Sequence, residues 1–222
     1  MVILYDFFAL LGVFLSLVIL LLLTHRFSHL LSPEVSRKIV HIFIGITTLT
    51  FPIIFSSSVT VWLLAIFASF LFFAIKHQRV LKANMGDAIY RIKRHSYGEL
   101  YYIFGVAFTF EFASTPLFYI LSIAILTFSD SAAAIIGERY GKILYPTRDG
   151  QKSVEGSLAF VAVSFIILSY GLYLFGDIAL VQSFQIAAQI SVGVALLEAL
   201  SWHGMDNFVI PISVLVLLEL LV

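Results

Sequence analysis

Acidic residues and lysines lie close together between Ser129 and Ser157, in a chain that is otherwise rich in apolar residues. Asp130 lies partway along an apolar segment, and the turns that precede it contain no basic residue that could pair with it. An acid inside an apolar segment costs roughly 2.5–3.5 kcal/mol on insertion scales, so its presence indicates a function. Carboxylates can hold a metal ion and lysines can contact phosphate, so these residue types predict a nucleotide site.

Further polar residues lie at the ends of other apolar segments. Lys38 and His41 stand three residues apart, a spacing that puts them on one face of a helix. Glu99 begins a later segment, and Glu198 ends another. The remaining candidates lie in the second half of the chain: Lys142, Lys152, Ser153, Glu155, Gly156, Asp206 and Asn207. Polar residues that recur at segment ends in this way predict one site at one end of a helical bundle.

The composition indicates the class of protein. The chain has 222 residues, of which 61% are hydrophobic and 12% are charged. A soluble domain usually has about 25% charged residues. The apolar runs are long and do not alternate with a period of two, which predicts an all-α integral membrane protein. The absence of cysteine excludes disulfide bonds and thiol-ligated metals.

The basic residues define the predicted topology. All 13 lysines and arginines lie between Arg26 and Lys152, in three clusters separated by apolar hairpins. The positive-inside rule puts these clusters, and with them the polar site, at the cytoplasmic leaflet. We predict one polytopic domain over 1–222 with both termini outside and about eight helices, roughly at 4–24, 38–55, 59–75, 97–114, 116–139, 154–175, 181–200 and 206–222. Four acids fall toward the opposite face as span-end or surface groups: Asp6, Glu111, Asp177 and Glu219.

The second predicted cytoplasmic loop has a pattern of its own. Its apolar residues recur at helical spacing between charged residues: Val80, Leu81, Ala88, Ile89 and Ile92. This pattern is typical of a helix that lies on an anionic membrane surface. A solvated basic loop that obeys the positive-inside rule would carry the same charges, and both interpretations stay open.

Five motifs, in order along the chain, resemble the polyprenol kinase family, which contains dolichol kinase, phytol kinase and CTP-dependent diacylglycerol kinase. The resemblance covers about residues 36–212. The motifs are Arg37-Lys38-x-x-His41, Ser96-Tyr97-Gly98-Glu99-x-Tyr101-Tyr102, Ser129-Asp130-x-x-Ala133-x-x-x-Gly137-x-x-Tyr140-Gly141-Lys142, Lys152-Ser153-x-Glu155-Gly156-Ser157 and Asp206-Asn207-x-x-Ile210-Pro211. Each motif alone is loose, but five in this order are specific.

The resemblance implies a membrane kinase that transfers the γ-phosphoryl group of CTP to a lipid alcohol of the polyprenol, phytol, dolichol or diacylglycerol type. It implies Mg²⁺ held by Asp130 and Asp206, with Asn207 as a neutral neighbour. The triphosphate would meet Lys142, Lys152 and the start of the helix at Ser153 to Gly156, while Glu155 would hold a second metal or the ribose. Three residues remain for catalysis: Lys38 and His41 for charge or orientation, and Glu99 as a base.

Two other functions stay open at this point. The motifs around Asp130 and Lys152 are also similar to those of phosphatidate cytidylyltransferase, although no arginine follows Asp206 and no lysine or arginine follows Lys152. A membrane transporter fits the composition, but transporters concentrate polar groups near the midplane. The expected partners are CTP, a lipid alcohol and the bilayer, with no nucleic acid; homo-oligomerisation is left open.

Overall fold

A computed structural model describes residues 2–27, 33–78, 97–148 and 150–222. The described residues are almost entirely helical, as the composition predicts. The predicted surface helix around Val80 to Ile92 lies outside the described residues, as do the Ser96 end of one motif and the side chain of Arg37.

The first half of the chain forms helices that pack around a shared interior. Their bounds are α1 Val2–Phe27, α2 Pro33–Leu49, α3 Phe51–Ile54, α4 Ser58–His77 and α5 Gly98–Phe112. Pro52 explains the break between α2 and α3, because proline has no N–H group to donate to the carbonyl of Thr48 four residues earlier. The hydroxyl of Tyr119 donates to that carbonyl instead, at 2.9 Å.

The second half contains a π-helical turn and the only strands among the described residues. The elements are α6 Pro116–Ala124, the π turn Ile125–Ser129, α7 Asp130–Tyr140, β1 Leu144–Thr147, β2 Gly150–Ser153, α8 Val154–Phe175, α9 Leu180–Leu200 and α10 Asp206–Leu221. Side chains cap two of these helices: Thr115 Oγ1 accepts from Phe118 N at 3.2 Å, and Ser153 Oγ accepts from Gly156 N at 3.1 Å. Such caps satisfy backbone donors that a helix start leaves without partners.

Five helices are long and apolar enough to cross a membrane. They cover Asp6–Thr24, Ser58–Ile75, Pro116–Tyr140, Val154–Phe175 and Leu180–Leu200. The chain is therefore a helical integral membrane protein, as predicted. Each of the other three predicted spans also coincides with a described helical segment, but those segments are shorter: Lys38–Ile54, Gly98–Phe112 and Asp206–Leu221. The count of eight spans and the location of the termini stay predictions.

The antiparallel hairpin of β1 and β2 departs from the all-α expectation. Its register pairs Leu144 with Ser153 and Thr147 with Gly150. Gly150 has a φ of 138°, a conformation that only glycine adopts readily. The predicted loop is thus an ordered hairpin that ends at the cap of α8, and it fixes the position of Lys152 on β2.

Small residues allow the site-bearing helices to approach one another closely. A Cβ atom at Gly156 of α8 would lie 2.8 Å from the carbonyl of Ala133 on α7. A Cβ atom at Gly105 of α5 would lie 2.6 Å from the carbonyl of Asn207 on α10. In a membrane, helices associate mainly through such close packing, because lipid tails are as apolar as the side chains that they would replace.

Candidate active site

Asp130 is the first residue after the π turn, and two residues of α2 reach it. Lys38 Nζ donates to Asp130 Oδ2 at 2.6 Å. His41 Nε2 lies 3.0 Å from the carbonyl of Leu126 and 3.7 Å from Asp130 Oδ2. Lys38 and His41 therefore share one helix face, as their spacing predicts. A π turn changes the direction of a helix carbonyl and side chain, and such turns are frequent at functional sites.

A second acid and lysine form a similar pair across the site. Lys152 Nζ donates to Glu198 Oε1 at 2.5 Å and to the Glu198 backbone carbonyl at 2.7 Å. Glu198 is buried near the end of α9, and Lys152 projects from β2. The lysine thereby ties the hairpin to the end of a membrane helix.

The two pairs and Asp206 form one acidic cluster. Carboxylate oxygens of Asp130, Glu198 and Asp206 all lie within 4.8 Å of one another. Asp130 and Glu198 are buried, and Asp206 is half-buried. With Lys38 and Lys152 charged, three ionised carboxylates against two ammonium groups would leave a net negative charge in a site largely removed from water. Such a charge is unfavourable unless a proton or a cation compensates it. Carboxylate oxygens are also the donors that Mg²⁺ prefers, so the residues present fit this ion.

The turn before α10 brings Asp206 and Asn207 into the site. His203 and Gly204 both have positive φ, of 53° and 82°, and Met205 N donates to the carbonyl of Trp202 at 2.9 Å. Asn207 Nδ2 donates to the carbonyl of Gly98 at 2.9 Å. The amide of Asn207 thus fastens the start of α10 to the start of α5, where Glu99 lies.

A cavity of about 380 Å³ opens from the cluster into the apolar part of the bundle. At its polar end lie Lys38, His41, Glu99, Asp130, Lys152, Asp206 and Asn207. Beyond them the walls are mainly apolar side chains of α1, α2, α4 and α5. The cavity therefore joins a charged site to a channel suited to hydrocarbon.

Three curated proteins are similar to the chain. Phytol kinase from Synechocystis is 32% identical over 189 residues, which cover 82% of this chain and 78% of the relative. The chain belongs to the polyprenol kinase family. CTP-dependent diacylglycerol kinase 1 from Saccharomyces cerevisiae is 33% identical, covering 60% of this chain and 48% of that protein. Dolichol kinase from the same yeast is 38% identical over 68 residues, 12% of its length. No family model and no solved structure matches.

The chain is therefore a membrane lipid kinase. This confirms the predicted kinase over the cytidylyltransferase and the transporter, because all three relatives are kinases. The structure brings seven of the eleven predicted site residues of this kinase to the cavity wall. Their individual roles stay predictions.

The other four predicted residues of the kinase lie beside the cavity, where α7, the hairpin and α8 meet. They are Lys142, Ser153, Glu155 and Gly156. The Glu155 carboxylate accepts from Ile143 N at 3.2 and 3.3 Å, and Ser153 caps α8. These contacts give each of the two side chains a structural role in addition to the predicted nucleotide contact.

Sequence reasoning did not assign Glu198 to the metal site of the kinase. The sequence does contain a reason to assign it. Glu198 is an acid near the end of an apolar segment, so the insertion cost that indicates a function for Asp130 applies to Glu198 as well. A second unpredicted contact joins Arg148 to Trp202, with the guanidinium carbon 4.0 Å from the ring centroid. This cation–π contact fastens the hairpin to the turn before α10.

Proposed function

We propose that this lipid kinase transfers the γ-phosphoryl group of CTP to a membrane lipid alcohol at the cluster of Asp130, Glu198 and Asp206. The observation that carries the proposal is the cavity, which has acids and lysines at one end and apolar walls along the remainder. A phosphoryl transfer to a lipid requires both kinds of surface within one site. CTP as the donor follows the printed name of the yeast diacylglycerol kinase relative.

Positioning and charge neutralisation supply most of the catalysis in phosphoryl transfer. Lys38 and Lys152 hold ammonium groups on two sides of the cluster, where phosphate oxygens would meet them. Bound by Asp130, Glu198 and Asp206, Mg²⁺ would neutralise further charge on those oxygens. Asn207 keeps Asp206 in position, because its backbone N–H donates to Asp206 Oδ1 at 3.0 Å.

At the acceptor end, we assign Glu99 as the base that takes the proton of the alcohol. Glu99 lines the same cavity as Asp130. The alcohol oxygen forms a bond to the γ-phosphorus while its proton passes to the Glu99 carboxylate. The bond from that phosphorus to the bridging oxygen breaks, and CDP leaves with the electron pair. His41 Nε2 faces the carbonyl of Leu126, which can only accept, so a hydrogen on Nε2 would fasten the π turn that precedes Asp130.

The nucleotide would extend from the cluster toward the hairpin. Lys142 and Lys152 provide positive charge on that side, and the start of α8 provides backbone N–H groups and a positive helix dipole. Glu155 holds the backbone of Ile143 and would meet either the ribose or a second metal. Ser153 and Gly156 would contribute backbone groups.

The proposed topology is one domain over 1–222 with eight spans, both termini outside and the site at the cytoplasmic leaflet. Two kinds of observation support it. Lys152 lines the site and Arg148 packs on Trp202 at the cavity wall, whereas Asp6, Glu111 and Glu219 interact at the other ends of the helices. A homo-oligomer stays a prediction, to be tested by light scattering in detergent.

The fate of labelled nucleotide tests the proposal. Purified kinase is incubated with γ-labelled CTP or ATP, Mg²⁺ and lipid alcohols, and the lipids are separated by thin-layer chromatography. We expect label in the lipid phosphate and CDP as the other product. Release of pyrophosphate with α-label in the lipid would contradict the proposal, and so would the absence of label from every lipid.

A further inference from the structure

The apolar part of the cavity begins at the acidic cluster and follows the helices for about half of a bilayer. Along α2, the cavity wall runs from Lys38 to Thr48, a rise of about 15 Å. Along α4, it runs from Phe72 to Val61, a rise of about 16 Å. The hydrocarbon core of a bilayer is about 30 Å thick, so the channel has the depth of one leaflet.

The lining residues farthest from the cluster are Thr48, Phe51 and Val61, which we define as the floor of the channel. Tyr102 reaches this floor from beside His41, and the two ring centroids lie 5.3 Å apart. Thr48 Oγ1 and Tyr102 OH are hydrogen-bonded at 3.0 Å, and the Thr48 carbonyl accepts from Tyr119. Phe51 and Val61 are only 3% and 2% exposed. Buried side chains held by such hydrogen bonds do not yield easily, because each lost bond would leave a buried polar group unsatisfied.

The volume of the cavity, polar end included, sets the scale of the tail that the channel can hold. A cavity of about 150 Å³ in another protein takes up one benzene ring, so by proportion about 380 Å³ accommodates on the order of fifteen carbon atoms. One prenyl chain of about three isoprene units, or 15 carbon atoms, matches that size. The two acyl chains of a diacylglycerol, or the long chain of a dolichol, exceed it.

From depth, floor and volume together, we infer that the channel binds the hydrocarbon tail of the acceptor and that the floor selects a single short prenyl chain. This inference rests on the proposed function, since the tail is assigned to the alcohol that receives the phosphoryl group. The hydroxyl then lies at the polar end, beside Glu99 and Asp130. The floor residues and Ala65, midway along α4, are specificity-determining residues.

Substitutions along α4 separate the tail channel from the lipid-facing surface. Ala65 is buried and lines the channel, whereas its neighbour Ile66 is 61% exposed. Ala65→Leu and Ile66→Phe each add three carbon atoms, one inside the channel and one outside it. We expect Ala65→Leu to lower kcat/KM about tenfold for farnesol and to leave geraniol nearly unchanged. Ile66→Phe should leave both values unchanged.

A second variant should shift the chain-length selectivity toward longer prenols. Phe51→Leu shortens the floor without adding a polar group, so the ratio of kcat/KM for a longer prenol to that for farnesol should rise a few-fold. An equal effect of Ala65→Leu on alcohols of every length would overturn the inference. Equal use of geraniol, geranylgeraniol and dolichol by the wild type would also overturn it, while leaving the kinase intact.

Binding of radiolabelled farnesol in detergent provides a readout that does not depend on catalysis. Binding that Ala65→Leu weakens and Ile66→Phe leaves unchanged supports the channel, even if no alcohol becomes phosphorylated. Selective binding without phosphorylation would contradict the proposed function and still support the tail site. Equal binding by all three proteins would show that the tail lies elsewhere.

Discussion

At the scale of single residues, the site depends on how its charges are balanced. Asp130 contacts Lys38, and Glu198 contacts Lys152, so two acids of the cluster have lysine partners while a third lies between them. Breaking one buried pair by removing a single partner typically costs 3–5 kcal/mol. The same acids must therefore serve both the fold and the proposed metal, and substitutions that keep shape while removing charge distinguish the two roles.

Asp130→Asn is expected to abolish most of the activity while the protein still inserts and folds. The change keeps the side-chain shape and leaves two acids facing two lysines, so the cluster becomes balanced. We expect kcat to fall at least a hundredfold, which corresponds to about 2.7 kcal/mol or more of transition-state stabilisation. Labelled-CTP assays and gel filtration in detergent would measure the two effects.

Asp6→Asn is the matched control, because Asp6 is also a buried acid in a membrane helix. Its carboxylate accepts from Ser56 Oγ at 2.9 Å and from Thr60 Oγ1 at 3.1 Å, which fastens α1 to the start of α4. Of the two expectations for Asp6, the structure supports a span-end group, because Asp6 begins a candidate span and is buried. This variant should lose thermal stability and keep kcat. An Asp130→Asn enzyme with normal activity would show that Asp130 is only structural.

Glu198→Gln tests the acid that sequence reasoning did not assign to the metal. If Glu198 shares an ion with Asp130 and Asp206, the Mg²⁺ concentration for half-maximal activity should rise about tenfold or more. The double variant with Asp206→Asn should be scarcely worse than either single one, because residues that act as a unit are not additive. Mn²⁺ binding followed by electron paramagnetic resonance gives a second readout, and Glu111→Gln, at the other end of the bundle, is the control.

At the scale of elements, the sequence predicted the helices well and their connections less well. All eight apolar segments coincide with described helices, because long apolar runs leave the backbone no other way to satisfy its hydrogen bonds in lipid. The hairpin was missed, since its strands have only four residues each and their pairing is not visible in composition. Lys38 and His41 were grouped correctly by spacing, but their contact with Asp130 spans some ninety residues and required the tertiary fold.

Gly156→Ala should destabilise the contact between α7 and α8. The added Cβ would lie 2.8 Å from the Ala133 carbonyl, so the helices must separate or shift. Overpacking of this kind costs about 1–3 kcal/mol, and we expect a lower melting temperature in detergent. Gly12→Ala is the control, because no atom lies within 4 Å of its added Cβ and alanine favours a helix. Unchanged stability with weaker nucleotide binding would instead indicate that Gly156 acts mainly on the nucleotide.

At the scale of the whole molecule, the acidic groups among the described residues are divided between two ends of the bundle. The acidic cluster, both paired lysines and the hairpin lie at one end. Asp6, Glu111 and Glu219 make their hydrogen bonds at the other, to Ser56, Trp62 and the backbone of Ser114. The apolar channel lies between them and stops at the floor. A lipid can thus present its hydroxyl to a water-soluble nucleotide without leaving the membrane, provided that the site faces the cytoplasm.

Single cysteines in this cysteine-free chain test that orientation directly. Ser114 is exposed near the turn between α5 and α6, and Ile143 is 63% exposed just before the hairpin. A membrane-impermeant maleimide added to intact cells should label Ser114→Cys, and it should label Ile143→Cys only after permeabilisation, because the positive-inside rule keeps the basic hairpin end in the cytoplasm. Denatured samples of both variants control for thiol reactivity. If intact cells label Ile143→Cys and not Ser114→Cys, the site faces outward, where cellular CTP cannot reach it.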